Sequence, residues 1–411
     1  MSRCLACSAQ IEPFIDFGSM PIANHFPTRA GFRDEFFFNL AVARCPSCEL
    51  VQLVELVEST RMFHDHYAYF SSTSAGMVSH FAAFVDELGP VLEPHSGTRS
   101  FVVELGSNDG IMLQHLEAAG HRALGIEPSA NVAEVARARG LDTHVAFFTT
   151  ALAHALREAH GPADAVVGAN VLCHVDAIGD VLEGVRSLLA PRGVFCFEDP
   201  YLPEILARGA FDQFYEEHVF YFRARSVAKL AARHGLELID VAPRVVHGGS
   251  MRYTLAQAGA RAPSPRVAAQ LAYETSLGLD TPAPYEALAA KVSRLAVQLR
   301  ETLEQLRAEG KRVQGYGATA KSSTMINYAK LGPELIESIC DVTPAKQGRF
   351  SPGAHIPIVP HEQFSANYPD VALLFAWNHA TEIFAKERGF EAAGGQWLTY
   401  LPEVALGSSG Q

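Results

Sequence analysis

The 411-residue chain lacks any apolar run near the length of a membrane helix, so no membrane partner is expected. Its opening stretch, MSRCLACSAQ, has no charged-then-apolar leader, and a cytoplasmic location is expected. Positive charge is scarce: 33 Lys and Arg stand against 45 Asp and Glu, a formal net charge of −12. That balance argues against nucleic-acid binding by bulk electrostatics, yet it leaves room for a local basic pocket for one phosphorylated small molecule. An even set of cysteines is missing too. Seven are present, four of them paired at short spacing, which suits metal ligation in a reducing compartment better than disulfides. No short tandem repeat is visible. The length is large for one hydrophobic core, so two or three domains are expected.

What is present is most informative at VVELGSNDG, Val102 to Gly110. An apolar strand stops near an acid, Glu104, and runs into a loop bracketed by Gly106 and Gly110. A helical stretch follows, then a second strand, ALGIEP, ending at Glu127 and Pro128. Such a unit lays a ligand's polar groups against bare backbone at a helix N-terminus. The second acid comes 21 positions after the first glycine (127 − 106), where a ribose diol would be held. The spacing is G-x-x-x-G and not the G-x-G-x-x-G that packs on a pyrophosphate. A nucleoside without phosphates is the better match, and S-adenosylmethionine fits. Gly106, Ser107, Asn108, Asp109 and Gly110 would then face its methionine end.

Cys4-Leu-Ala-Cys7 and Cys45-Pro-Ser-Cys48 are two C-x-x-C knuckles, and together they supply four thiolates for one tetrahedral zinc. Four cysteines fill the coordination sphere, so the expected zinc is structural. His64 and His66 are read as loop histidines. Cys173, Cys196 and Cys340 are scattered and are expected to be buried, unreactive thiols.

Strand-like runs FVVEL, ALGIEP, ADAVVGAN and GVFCFEDP alternate with helical patterns, which implies right-handed crossovers and a parallel, doubly wound sheet. Ligands bind beyond the carboxyl ends of such strands. Glu104, Glu127, Asn170 and Glu198 all fall at predicted strand ends and are expected to converge there. Near Gly259 the chain becomes rich in Ala and Pro, marking a boundary. A long amphipathic helix follows, with Val292, Leu295, Ala296, Leu299, Leu303 and Leu306 on one face and a stop at Glu309-Gly310. The expected division is a zinc-binding lobe at 1–75, a central domain at 76–260 and a C-terminal unit at 261–411.

The C-terminal unit carries a second glycine loop. Gly315-Tyr316-Gly317-Ala318-Thr319-Ala320 fits G-x-G-x-x-A, and Asp341 ends the next strand. A nicotinamide site, and with it an oxidoreductase, is one reading. Lys321, Ser322 and Ser323 follow directly, however, and Lys346 and Arg349 add local positive charge. A diphosphate carried by a substrate suits that set equally. A third reading is a zinc-knuckle interaction protein with a degenerate enzyme body.

The segment GAFDQFYEEHVFYF, Gly209 to Phe222, places Tyr215, Glu216, Glu217, His218 and Tyr221 among phenylalanines, just after a predicted strand. A histidine beside a carboxylate in aromatic surroundings suits general-base work near neutral pH. VHGGSMRY, Val246 to Tyr253, is a second cluster: its glycines permit close backbone approach, and Arg252 is a candidate for a phosphate or a carbonyl.

Taken in order, the knuckles, YAYFSS (Tyr67 to Ser72), VVELGSNDG, GIEPSANVAEVARARG, NVLCHV (Asn170 to Val175), FDQFYEEHVFYF, HGGSMRY, GYGATAKSSTMINY and KQGRFSPGAHIPI resemble the sugar C-methyltransferases of deoxysugar and antibiotic biosynthesis. The likeness is greatest to the 3-C-methyltransferases that act on nucleotide-linked 4-keto sugars, and it covers essentially the whole chain. It implies a class I methyltransferase-like α/β sheet flanked by an N-terminal zinc-binding lobe and a C-terminal Rossmann-like domain. It implies S-adenosylmethionine and a structural zinc ion. In the family's Y-x-E-H pattern, matched by Tyr215, Glu217 and His218, the histidine is the base that takes a proton beside the ketone. The tyrosine and glutamate are hydrogen-bonding partners around that carbon and the carbonyl. Glu127 would hold the ribose, Asn170 the region near the methyl, and the C-terminal loop the nucleotide-sugar. Tyr69, Ser72, Arg252, Lys321, Ser322, Lys346 and Arg349 are then expected at the substrate. FYFRARSV departs from the expected pattern at Arg223 and Arg225, which keeps a non-sugar carbonyl acceptor as an alternative.

Overall fold

The computed structural model describes residues 2–58, 71–73, 75–95 and 99–408. The strand Phe101–Leu105 is buried at all five positions. A strand apolar on both faces belongs inside a parallel sheet covered by helices. It lies in a seven-stranded sheet of order Thr143–Val145, Arg122–Glu127, Phe101–Leu105, Ala163–Ala169, Leu189–Pro200, Ser250–Gln257, Leu236–Arg244. Ser250–Gln257 runs antiparallel to both neighbours, and the other adjoining strands are parallel. Counted along the chain, the order is 3-2-1-4-5-7-6, a class I methyltransferase-like doubly wound sheet. The order reverses direction between Phe101–Leu105 and Ala163–Ala169, which opens a crevice beyond their carboxyl ends.

Two glycines make the exit from the first strand possible. Gly106 has φ +63°, and a Cβ there would come 2.5 Å from Val171 Cγ2. Gly110 has φ +83°, and a Cβ there would come 2.3 Å from Leu141 Cδ1. Any other side chain would both strain the backbone and force the loop off its packing.

The N-terminal lobe has a two-stranded hairpin, Ser2–Arg3 with Gln10–Ile11, and a four-stranded antiparallel sheet. That sheet orders Pro13–Pro21, Phe37–Arg44, Val51–Leu53 and, at its far edge, Phe220–Tyr221. The last strand comes from the aromatic segment of the central domain and pairs Phe220 with Gln52 and Tyr221 with Val51. The lobe's sheet is therefore completed by residues far outside its own stretch of sequence.

The long helix spans Ala283–Ala308, and Val292, Leu295, Ala296, Leu299, Leu303 and Leu306 are all buried on it. They share one apolar core with Ile15, Phe17 and Val42 of the lobe and Val313, Leu373 and Leu398 of the C-terminal sheet. The helix is thus the spine that joins first and last parts of the chain. The C-terminal sheet orders Ile358–Val359, Ile339–Cys340, Val313–Tyr316, Val371–Leu374, Gln396–Thr399 and Ala405–Gly407. All pairs are parallel except the last. No described helix is long and apolar enough to cross a membrane.

Candidate active site

The four cysteines of the lobe meet as two pairs across the knuckles. Cys4 Sγ lies 3.5 Å from Cys48 Sγ, and Cys7 Sγ lies 3.4 Å from Cys45 Sγ. All four sulfurs fall within 4.8 Å of one another. Tetrahedral zinc with bonds of about 2.3 Å holds its sulfurs about 3.8 Å apart, so the donor set fits the ion.

At the glycine loop the second acid folds back on the backbone. Glu127 Oε2 accepts from the Asn108 N–H at 2.9 Å and Oε1 from the Ser129 N–H at 2.8 Å. Pro128 makes the turn between them, and Ser129 begins the helix Ala130–Ala138 as its N-cap. Glu104 and Asp109 are 2 % and 1 % exposed, and Glu104 Oε2, Asp109 Oδ1 and Ser107 Oγ have no hydrogen-bond partner among the described residues. Burial, then the charges of Glu127 and Asp109, hold the Glu104 carboxyl well above the usual carboxylate range. Three acids around one glycine turn, with acceptors left over, suit a ligand that brings positive charge and hydrogen-bond donors. S-adenosylmethionine, with its sulfonium and ammonium groups, has that chemistry. The Ser72 hydroxyl and N–H both reach Asp109, and Arg139 donates to the Ser72 Oγ at 3.1 Å. Ser72 is thus tied to the Gly106–Gly110 loop through Asp109. Tyr69, with Tyr67, His64 and His66, lies outside the described residues.

The strand Ala163–Ala169 delivers Asn170 with φ +55°. Its Nδ2 lies 3.2 Å from His174 Nε2. The His174 ring is 4.9 Å, edge to face, from the ring of His218. His218 Nε2 in turn lies 2.8 Å from the Tyr215 hydroxyl, and its Nδ1 has no hydrogen-bond partner among the described residues. A path of polar side chains thus runs from the carboxyl end of the strand Ala163–Ala169 to the Y-x-E-H segment. His218 is only 3 % exposed, less open than a residue at the lip of a crevice. Burial first, and then His174, Lys321 and His247, push its imidazole well below the usual histidine range, so the neutral, proton-accepting form is favoured.

The two adjacent carboxyls are held from the N-terminal lobe. The Ala23 N–H donates to Glu216 Oε1 at 2.8 Å, and Asn24 Nδ2 donates to Glu217 Oε1 at 2.6 Å. From the other side, Asp212 Oδ2 accepts from Trp377 Nε1 at 2.6 Å and from the Tyr400 hydroxyl at 2.5 Å. Lys321 Nζ lies 5.1 Å from the centre of the Trp377 ring, and burial draws its ammonium below the usual lysine range while Asp212 opposes the shift.

Other expected substrate contacts are engaged inside the fold. Arg252 is 5 % exposed, lies over the Phe84 ring at 3.8 Å, and pairs with Glu198 and Glu87, each at 3.0 Å. Glu198 also meets His80 Nε2 at 2.7 Å. Lys346 Nζ donates to the Ala318 carbonyl at 2.8 Å, Arg349 to the Phe26 carbonyl at 3.1 Å, and the Ser322 hydroxyl to the Thr319 carbonyl at 2.6 Å. Arg223 is fully buried and pairs with Glu49, beside the knuckle, and with Glu274 at 3.8 Å. Arg225 donates to Thr275 Oγ1 at 2.5 Å. These two arginines join elements together, which accounts for their bulk and charge without a ligand.

Sequence reading missed His174, Asn24, Asp212 and Trp377. NVLCHV contained His174, but nothing in the motif said that its ring would reach His218. Asn24 sits in MPIANHFP, which carries no recognisable signature.

Comparison with known proteins assigns the chain to a family. Residues 4–63 match a model described as "Putative zinc binding domain", residues 77–241 one described as "Methyltransferase domain", and residues 245–402 one described as "C-methyltransferase C-terminal domain". The chain is 37% identical over 394 residues to "C-methyltransferase NovU" of Streptomyces niveus, covering 95% of this chain and 92% of that protein. Two solved structures are similar over part of the chain. Magnesium protoporphyrin IX methyltransferase of Synechocystis PCC 6803 is 14% identical, covers 44% of this chain and 83% of that one, and has a TM-score of 0.34. The CcbJ methyltransferase of Streptomyces caelestis is 14% identical, covers 44% and 90%, and has a TM-score of 0.34. At that score neither adds to the assignment. The full-length likeness and the three consecutive matches replace the oxidoreductase and interaction-protein readings: the chain belongs to the S-adenosylmethionine-dependent C-methyltransferases, enzymes with a zinc-binding amino-terminal lobe.

Proposed function

We propose that the enzyme methylates a nucleotide-linked keto-deoxysugar at the carbon beside its ketone, with His218 as the base. The observation that carries this reading is the run Asn170–His174–His218–Tyr215, which links the carboxyl end of the strand Ala163–Ala169 to a buried imidazole whose neutral form is favoured. A ketone acidifies the adjacent C–H, and His218 takes that proton. The electron pair delocalises onto the carbonyl oxygen, where a hydroxyl donor such as Tyr215 stabilises the charge. Glu217, fixed by Asn24, accepts a hydrogen bond from the sugar. When bound, S-adenosylmethionine supplies an electrophilic methyl on positive sulfur. Glu127 would hold its ribose, the Gly106–Gly110 loop its methionine end and Asn170 the side nearest the methyl. Lys321, close enough to His218 to disfavour its imidazolium, is the charge proposed for the substrate's phosphate. Alignment of two reactants in a dry site supplies much of the rate.

The test is mass spectrometry of the enzyme incubated with methyl-labelled cofactor and a panel of 4-keto nucleotide sugars. Label on the carbon next to the ketone of at least one sugar is expected. Failure across the panel, with transfer to a non-sugar ketone, would replace the substrate class.

A further inference from the structure

The zinc lobe touches the catalytic segment at two places. Its loop Pro21–Pro27 reaches the segment's acids, Ala23 at Glu216 and Asn24 at Glu217, across 193 positions of sequence in each case. Its strand Val51–Leu53 pairs with Phe220–Tyr221, and the Leu53 N–H donates to the Val219 carbonyl at 2.9 Å. His218 is thus bracketed by contacts from one lobe. The loop is pinned from behind as well, by Arg349 on the Phe26 carbonyl at 3.1 Å and by the Phe350 N–H on the Pro27 carbonyl at 3.0 Å.

We propose that Asn24 is a positioning residue for Glu217, its amide holding that carboxyl in the carboxylate form as the Ala23 N–H does for Glu216, and that the zinc lobe is thereby a wall of the active site. The inference rests on the reading that Glu217 works beside His218. Two adjacent carboxyls in a dry site resist ionising together. Burial, and then the charge of Glu217, push Glu216 up to about 8. Burial also raises Glu217, and the Asn24 amide opposes it by donating to the carboxylate. The other titratable groups facing the pair are Tyr215, His218 and Tyr221 on its own segment and Cys173 and His174 from the turn after Ala163–Ala169. None of these gives Glu217 a donor comparable to the Asn24 amide at 2.6 Å.

The test is a carboxyl ¹³C titration of the zinc-loaded full chain labelled at glutamate, with the two signals assigned by their loss in Glu216→Gln and Glu217→Gln. The parent protein gives the reference midpoint of Glu217. Asn24→Leu removes the donor, so protonation should set in at higher pH, by about one to two units for a lost hydrogen bond to a charged group. Asn24→Asp, nearly the same shape, should raise the midpoint further while zinc stays at one per chain. With an accepted keto sugar in hand, the acid limb of kcat should move up in step, and Asn24→Leu should cost less than about twofold in a Glu217→Gln background. Unmoved midpoints in zinc-loaded Asn24→Leu and Asn24→Asp would overturn the inference. Full turnover by Glu217→Gln would instead remove the reading beneath it, so the two failures are distinct.

Discussion

Two glycine loops in this enzyme have nearly the same design and differ in what they leave unsatisfied. Each follows a buried strand, opens a helix and is closed by an acid at the end of the next strand. Glu127 accepts the Asn108 N–H in the central domain; Asp341 accepts the Ala318 N–H at 2.8 Å in the C-terminal one. Around the first, Glu104, Ser107 and Asp109 keep buried polar atoms without partners. Around the second, Lys346 sits on the Ala318 carbonyl, Asp341 also accepts the Thr343 N–H at 2.8 Å, and Thr319 caps the helix Ala320–Tyr328. Buried polar groups cost free energy unless paired, so leftover acceptors mark the place a ligand fills. Likeness of motif therefore does not imply likeness of role. Beside the C-terminal loop the buried atoms without partners among the described residues are a hydroxyl, Ser323 Oγ, and an amide oxygen, Gln314 Oε1, in place of carboxylates, and the cation Lys321 lies over the Trp377 ring within reach of the charge of Asp212.

The contrast can be tested from strong effects to weak ones. His218→Ala leaves both loops intact and should cost about 10² to 10⁴ in turnover, the usual range for a general base, with cofactor affinity by calorimetry unchanged. Near-parental turnover would strip His218 of its role. Glu127→Ala should weaken S-adenosylmethionine binding roughly 10- to 100-fold, as for loss of hydrogen bonds to a charged acceptor, whereas Asp341→Ala should change it less than about twofold. Equal losses from both substitutions would mean that the two loops are not differentiated as argued. Thr319→Ala removes a helix cap whose hydroxyl accepts the Ser322 N–H at 3.1 Å. It should lower stability by about 1 kcal/mol in denaturant unfolding, and a comparable loss of cofactor affinity would contradict the separation of the two sites.

How much of this was legible in sequence follows from the reach of each interaction. The knuckles are local pairs, and the long helix announces itself through Val292, Leu295, Leu299 and Leu303 at helical spacing. FVVEL, ALGIEP and ADAVVGAN read as central parallel strands because burial on both faces demands continuous apolar sequence. Partners were not legible. Nothing near Arg252 announces that Glu198 and Glu87 will hold it, and Asp212 meets Trp377 from 165 positions away. Residue type gives a side chain's capability; only the tertiary fold decides whether that capability is already satisfied. Ser322 is polar in the first turn of a helix and Lys346 is a cation in a turn that folds back on the same loop, yet each finds an acceptor on the protein's own backbone.

The edge strand Phe220–Tyr221 imposes an order of events on the nascent polypeptide. The zinc-binding lobe leaves the ribosome ahead of the central domain, but its outermost strand arrives only after some hundred and seventy further residues have been translated. Until then Val51–Leu53 waits with an open hydrogen-bonding edge, a state that invites mispairing with other chains. Maturation of this lobe and placement of the Tyr215–His218 segment are consequently one late, long-range event.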